Sequence, residues 1–130
     1  MRQEFTIDDR LGSMNEYIRK CRTGTKGIIG NIYKHQQQDI VKEFIRKSNL
    51  QKVTDYPVEV IFYFYEKNYK RDLDNVSSWA HKCILDALVK EEILENDGWK
   101  QIISIKDIFE VDKENPRIVV VIESLDQQRK

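Results

Sequence analysis

Residues 58–65 read VEVIFYFY, and this run constrains the 130-residue chain more than any other. Val58, Val60, Phe62 and Phe64 alternate with Glu59, Ile61, Tyr63 and Tyr65, so both faces of an extended segment are largely apolar. A strand with one face in water alternates apolar and polar residues, whereas one covered on both sides does not. The run therefore predicts a central strand, opened by Pro57. After four intervening residues comes KRDLDN at 70–75, and from its last residue runs a second strong pattern, 75-NVSSWAHKCILDALVK-90. Val76, Trp79, Ala80, Cys83, Ile84, Ala87 and Leu88 recur at the spacing of one helix face, with Ser77, Ser78, His81, Lys82 and Asp86 opposite. Asp74 or Asn75 suits the N-cap of that helix.

The remaining segments are weaker. EFTI at 4–7 reads as a short strand. Residues 8–32, interrupted by Gly12, Gly24, Gly27 and Gly30, read as a long basic loop carrying Arg19, Lys20, Arg22 and Lys26. Residues 33–47 place Ile40, Val41, Phe44 and Ile45 at helical spacing. Two apolar runs, 102–111 and 118–123, flank the turn DKENP and predict a hairpin. Residues 125–130 read as a frayed tail. The order predicts an α+β fold: a small mixed β-sheet with two main helices packed on it, as a single domain over 1–130.

Composition narrows the function classes. With 40% hydrophobic residues the chain can bury a core, and no stretch is long and apolar enough to span a membrane. The N-terminal MRQEFTIDDR lacks the apolar centre of a signal peptide, so a cytoplasmic protein is expected. Cys21 and Cys83 form no CxxC and are expected as reduced thiols; with His35 and His81 isolated, a structural zinc site is not expected. The net charge is zero but unevenly spread: residues 1–71 carry 14 Lys and Arg against 9 Asp and Glu, and residues 72–130 carry 8 against 13. The sign changes at KRDLDN. Such a split suits a polyanion-binding face beside an acidic metal site, and equally an ordinary solvated surface.

Asp72 and Asp74 project to one side if the backbone stays extended through Leu73, which then points into the core. Asp97, in 96-NDG-98, lies on the turn after the same helix. It meets the pair only if the helix stops early or the chain folds back. Mg²⁺ prefers oxygen ligands and keeps several waters, so one or two carboxylates and a substrate phosphate hold it. Metal-activated water and a nearby lysine then suit phosphodiester hydrolysis. Lys67, Lys70 and Arg71 would offset repulsion between the carboxylates and DNA. Taken singly, Asp74 also reads as a helix cap, Asp97 as turn chemistry, and the basic residues as solvated surface. An EF-hand is disfavoured because its fifth position would be Val76.

RDLDN, a helix containing ILDAL and a following NDG together resemble the RusA family of Holliday-junction resolvases. SMNEYIR at 13–19 is similar to that family's early Ser-x-Asn segment, and the likeness runs over about residues 4–124. The resemblance implies a small α+β homodimer from a phage or bacterium, an endodeoxyribonuclease that nicks four-way DNA junctions in recombination and repair. It implies Mg²⁺, with Mn²⁺ as the expected substitute, on Asp72, Asp74 and Asp97. It also implies an assisting lysine. Ser78 stands four residues after the second aspartate, where the family has its lysine. Lys82, four before Asp86, keeps the family's spacing to ILDAL and is the choice made here, with His81 as a second candidate. Lys20, Arg22, Lys26, Lys67, Lys70 and Arg71 are the candidate phosphate contacts. The rival expectations are a metal nuclease acting on other branched DNA, and a non-catalytic DNA- or partner-binding domain whose aspartates are only caps.

Overall fold

The computed structural model describes residues 1–24 and 27–125. Seven elements follow one another: β1 (Arg2–Ile7), α1 (Met14–Cys21), α2 (Ile28–Lys47), β2 (Val58–Glu66), α3 (Leu73–Lys90), β3 (Ile102–Val111) and β4 (Arg117–Ser124). The four strands form one mixed sheet in the order β1-β4-β2-β3, an α+β fold with three helices. As its double-sided apolar pattern requires, β2 is central. It pairs antiparallel with β4 and parallel with β3. Among the described residues, no helix is long and apolar enough to cross a membrane.

The hairpin expected from the last two strands does not form. Strand β4 inserts between β1 and β2, and β3 pairs only with β2, on its far side. A turn as short as 112–116 is compatible with a hairpin but does not enforce one. The strongest apolar strand, β2, takes both neighbours and separates the two.

The region expected as a long basic loop holds a helix, α1, and the first turns of α2. Ser13 caps α1, its Oγ accepting from the Glu16 N–H. Two glycines do act as breakers: Gly24 and Gly27 have φ of 75° and 71°, at the junction between the helices. Gly30 instead lies inside α2 because α1 passes close by. A Cβ there would fall 3.0 Å from the Cys21 backbone and closer still to its Sγ. The expectations for Lys26 and for the tail beyond Leu125 lie outside the described residues.

All three helices pack on one sheet face. Phe5, Ile7, Val58, Val60, Phe62, Phe64, Val120 and Ile122 meet Val41 and Ile45 of α2 and the predicted stripe of α3. Trp79 joins the helices to one another. It is fully buried, its ring lies 4.6 Å from Tyr17 of α1 and 5.5 Å from Tyr33 of α2, and its Nε1–H donates to Gln37. The same Gln37 oxygen accepts from the Gly12 N–H, so one amide fixes the chain entering α1. Buried Gln38 bridges Asp86 and Lys90 of α3. Among the described residues the opposite sheet face carries no helix, although Ile61 and Val121 are buried there as direct cross-strand neighbours.

The two sheet edges differ. At β1, the Gln3 side-chain amide exchanges two hydrogen bonds with the backbone of Gln51. At β3 the described chain supplies no further strand.

Removing the indole of Trp79 takes the shared wall from three helices at once. Trp79→Ala is expected to cost about 3–5 kcal/mol, the usual range for truncating a buried aromatic residue. It should lower the urea midpoint in an equilibrium melt followed by circular dichroism.

Candidate metal and nucleic-acid site

The site begins where β2 ends. Glu66, the last residue of β2, receives the Arg71 guanidinium in a bidentate pair, with nitrogen–oxygen distances of 2.9 Å on both carboxylate oxygens. Arg10 adds a third nitrogen at 3.2 Å, and Arg71 Nη1 also donates to the Leu11 carbonyl at 2.8 Å. This cluster ties the end of β2, the start of α3 and the approach to α1 together. Burial alone would raise the Glu66 pKa, but the hydrogen bonds and charge of Arg71, then Arg10, outweigh it and hold the carboxyl below its ordinary 4.5. Arg71 is thus committed internally, with its side chain only 17% exposed. It does not stand free for a phosphate, because its bidentate fork is already matched to a carboxylate.

With Arg71 so held, Asp72 becomes the N-cap of α3, at φ −64° and ψ 136°. Its carboxylate makes no capping hydrogen bond. Asp74 follows in the first turn, exposed. Both carboxylates sit at the positive end of the helix dipole. The backbone turns helical at Leu73, so this residue is not directed into the core as an extended chain would direct it; it is 58% exposed.

Two hollows meet at Asp72. The more polar one, of about 250 Å³, is lined by Ser13, Asn15, Lys70, Arg71, Asp72 and Asn75. It brings the early Ser-x-Asn segment against the RDLDN motif, although nearly sixty positions separate them in sequence. The other, of about 460 Å³, lies between Glu66–Val76 and the Phe109–Val111 end of β3, with Leu73, Val76 and Phe109 among its apolar walls.

Asp97 is not brought to this cluster. Helix α3 does not stop early; its 18 residues span about 27 Å. After it, the Ile93 and Leu94 N–H groups donate back to Leu88, and Gly98 accepts from Gln101 and Ile102 at the foot of β3. Because β3 runs parallel to β2, its foot lies beside Val58, at the opposite end of the sheet from Asp72. Consistent with this, no group of three or more His, Cys, Asp or Glu side chains is placed to hold a metal among the described residues. Two carboxylates with neighbouring amide oxygens still fit Mg²⁺, which takes its remaining ligands from water and phosphate.

The assisting residues lie further down α3. His81 is seven residues after Asp74, about 10 Å along the axis on nearly the same face. Its Nε2 lies 2.7 Å from Asp107 of β3, and its ring packs 4.7 Å from Phe62. Lys82 is exposed, one residue further on. Ser78, at the family's lysine position, donates its hydroxyl to the Asp74 carbonyl. Of the candidate phosphate contacts, Lys67 and Lys70 are exposed in the loop leading to Asp72, and Arg22 is exposed at the end of α1. Lys20 lies over the Tyr33 ring, 5.2 Å from its centre. Sequence reasoning did not single out Asn15 and Asn75 as site residues, though both lie in the motifs it quoted. It missed Asp107 altogether, which carries no signal in KDIF.

Compared with known proteins, the chain matches no family model and no curated protein. The functional reading therefore rests on these residues and their arrangement.

The ion cluster predicts an acid response. A carboxyl whose folded pKa is depressed contributes stability above its unfolded value and loses it as pH falls through the folded one. Glu66→Gln should therefore cost about 1–3 kcal/mol at neutral pH, typical of charged hydrogen bonds. The gap from wild type should shrink below about pH 4.5. Urea melts of both proteins from pH 7 to pH 3 test this, and a pH-independent gap would assign the loss to packing instead.

Proposed function

We propose that this protein is a Mg²⁺-dependent, structure-specific endodeoxyribonuclease that resolves four-way DNA junctions as a homodimer. The observation that supports it best is the uncapped Asp72 carboxylate, sharing a polar hollow with Lys70, Asn15 and Asn75 at the N-terminus of α3. A residue present only to cap the helix would bond to the N–H groups of its first turn. Asp72 leaves them free, and Asp74 adds a second carboxylate within the same turn. The RDLDN and Ser-x-Asn segments that resemble the RusA family are the ones that line this hollow.

Asp72 and Asp74 would hold the Mg²⁺ together with a DNA phosphate. When bound, the metal supplies an activated water and neutralises charge on the phosphate oxygens. Lys70 opposes the negative charge of the two aspartates and draws the backbone in, and Lys67 and Arg22 extend that attraction. The Asn15 and Asn75 amides orient the phosphate or its waters. Lys82, exposed and about 12 Å along the helix from Asp74, would assist by holding the DNA backbone in position beside the aspartates.

Asp97 enters this reading from a second copy. Lying at the other end of the sheet within one chain, it would reach Asp72 and Asp74 of a partner across a two-fold axis that sets the two chains antiparallel. A four-way junction carries matching two-fold symmetry, so such a dimer offers two equal sites for paired nicks.

The test is cleavage of a fixed four-way junction, with and without Mg²⁺. Wild type should nick it only with the metal. Asp72→Asn and Asp74→Asn should each lower the rate at least about 100-fold, in line with the several kcal/mol such a metal supplies, and leave junction binding in a gel-shift assay unchanged. A junction that wild type binds but never cuts in Mg²⁺ or Mn²⁺ would make this a binding domain. Faster cutting of flaps than of junctions would move the substrate class.

A further inference from the structure

We propose that the second copy pairs along the free edge of β3, antiparallel and centred on Ile108, to give one continuous eight-stranded sheet. This deepens the homodimer named above by assigning its surface, and it is tested without reference to cleavage.

The edge is chemically open. Backbone groups along a strand alternate in direction, and the Asp112 N–H donates to Glu66 of β2. The even-numbered residues of β3 therefore turn their N–H and C=O groups toward β2. Ile105, Asp107, Phe109 and Val111 turn theirs outward. Ten residues long, β3 carries Ile103, Ile105 and Ile108 at 59%, 44% and 43% exposure, and Trp99 at its foot is 95% exposed. Edges left to water are normally short, charged or covered. Along β1 the Gln3 side chain holds the Gln51 backbone; along β3 the charges of Lys106, Asp107 and Glu110 stand among exposed isoleucines, a mixed edge suited to a partner of matching pattern.

The charge pattern selects a second copy as the occupant. A two-fold axis normal to the sheet keeps each side chain on its own face, so a residue can pair only with one of the same parity. Centring on Lys106 or Asp107 sets like charges face to face. Centring on Ile105 or Phe109 sets Asp107 or Glu110 against an isoleucine or valine. Centring on Ile108 places Lys106 opposite the partner's Glu110, twice by symmetry, and Ile105 opposite the partner's Val111, also twice. Asp107 then faces the partner's Phe109 but keeps its bond to His81. Lys106 lies 3.3 Å from Glu59 on the same face and remains 61% exposed, free to serve both carboxylates. In this register Ile105 faces the partner's Val111, and the foot of β3, with the Asp97 turn before it, extends past the end of the partner's β3, the end whose hollow Asp72 also lines.

Sedimentation equilibrium of the full chain tests the register. Wild type should be a dimer. Glu110→Lys should weaken it about tenfold, from two like-charge cross-strand pairs of roughly 0.5–1 kcal/mol each. Lys106→Glu combined with Glu110→Lys should restore the dimer. Ile108→Cys, on the axis, should form an interchain disulfide under mild oxidation that wild type does not, since directly opposed strand residues meet the required Cα separation. Circular dichroism checks that each variant is folded. A wild-type monomer at 100 µM (about the upper range of such runs), a dimer indifferent to Glu110→Lys, or a double variant that stays dissociated would each overturn the proposal. A dimer that never cuts junctions would sink the nuclease reading and leave this one standing.

Discussion

The parallel pairing of β2 with β3 governs the rest of the molecule. Parallel neighbours need a crossover as long as the strands themselves, and α3 supplies it. The chain must leave β2 at one end of the sheet and enter β3 at the other. Whatever precedes α3 is thereby separated from whatever follows it by the helix's whole length. Asp72 precedes the helix and Asp74 lies in its first turn, whereas Asp97 follows it. The same geometry leaves β3 on the outside of the sheet, with β4 filling the other side of β2.

At the start of the crossover, the Glu66–Arg71 pair sets the angle between strand and helix. It neutralises one positive charge internally and fixes the backbone just before Asp72. It also reaches the Leu11 carbonyl and Arg10, and so holds the approach to α1 against the same corner. The hollow around Asn15, Lys70 and Asp72 is a product of that clamp. Rigid support of this kind matters for any metal site, whose ligands must be held before the metal arrives.

Much of this was legible in the chain. The two apolar faces of VEVIFYFY identified the central strand, and the stripe from Val76 to Leu88 identified α3 almost to the residue, because each pattern reports burial directly. Where the reading failed, the deciding interaction was not local. Helix α1 was hidden among glycines, yet Gly30 is there for a close approach to Cys21, which only the packed structure reveals. The final two strands read as a hairpin because they are neighbours in sequence, but strand order is chosen by the whole sheet. Leu73 was expected inside because an extended chain would put it there; the helix begins one residue sooner than that picture allows. Arg71 looked like a surface cation until Glu66, five residues earlier, claimed it. The candidate carboxylates at Asp72 and Asp74 were visible as a motif, whereas the nearness of Asn15 depends on how α1 docks.

The guarded β1 edge has a consequence for assembly size. A sheet that can extend at both ends adds subunits without limit and becomes a fibre. Here the Gln3 side chain ties the Gln51 backbone to β1 by two hydrogen bonds. Two copies joined through β3, as proposed, would leave only β1 edges at the outside of the combined sheet, each with that Gln51 segment held beside it.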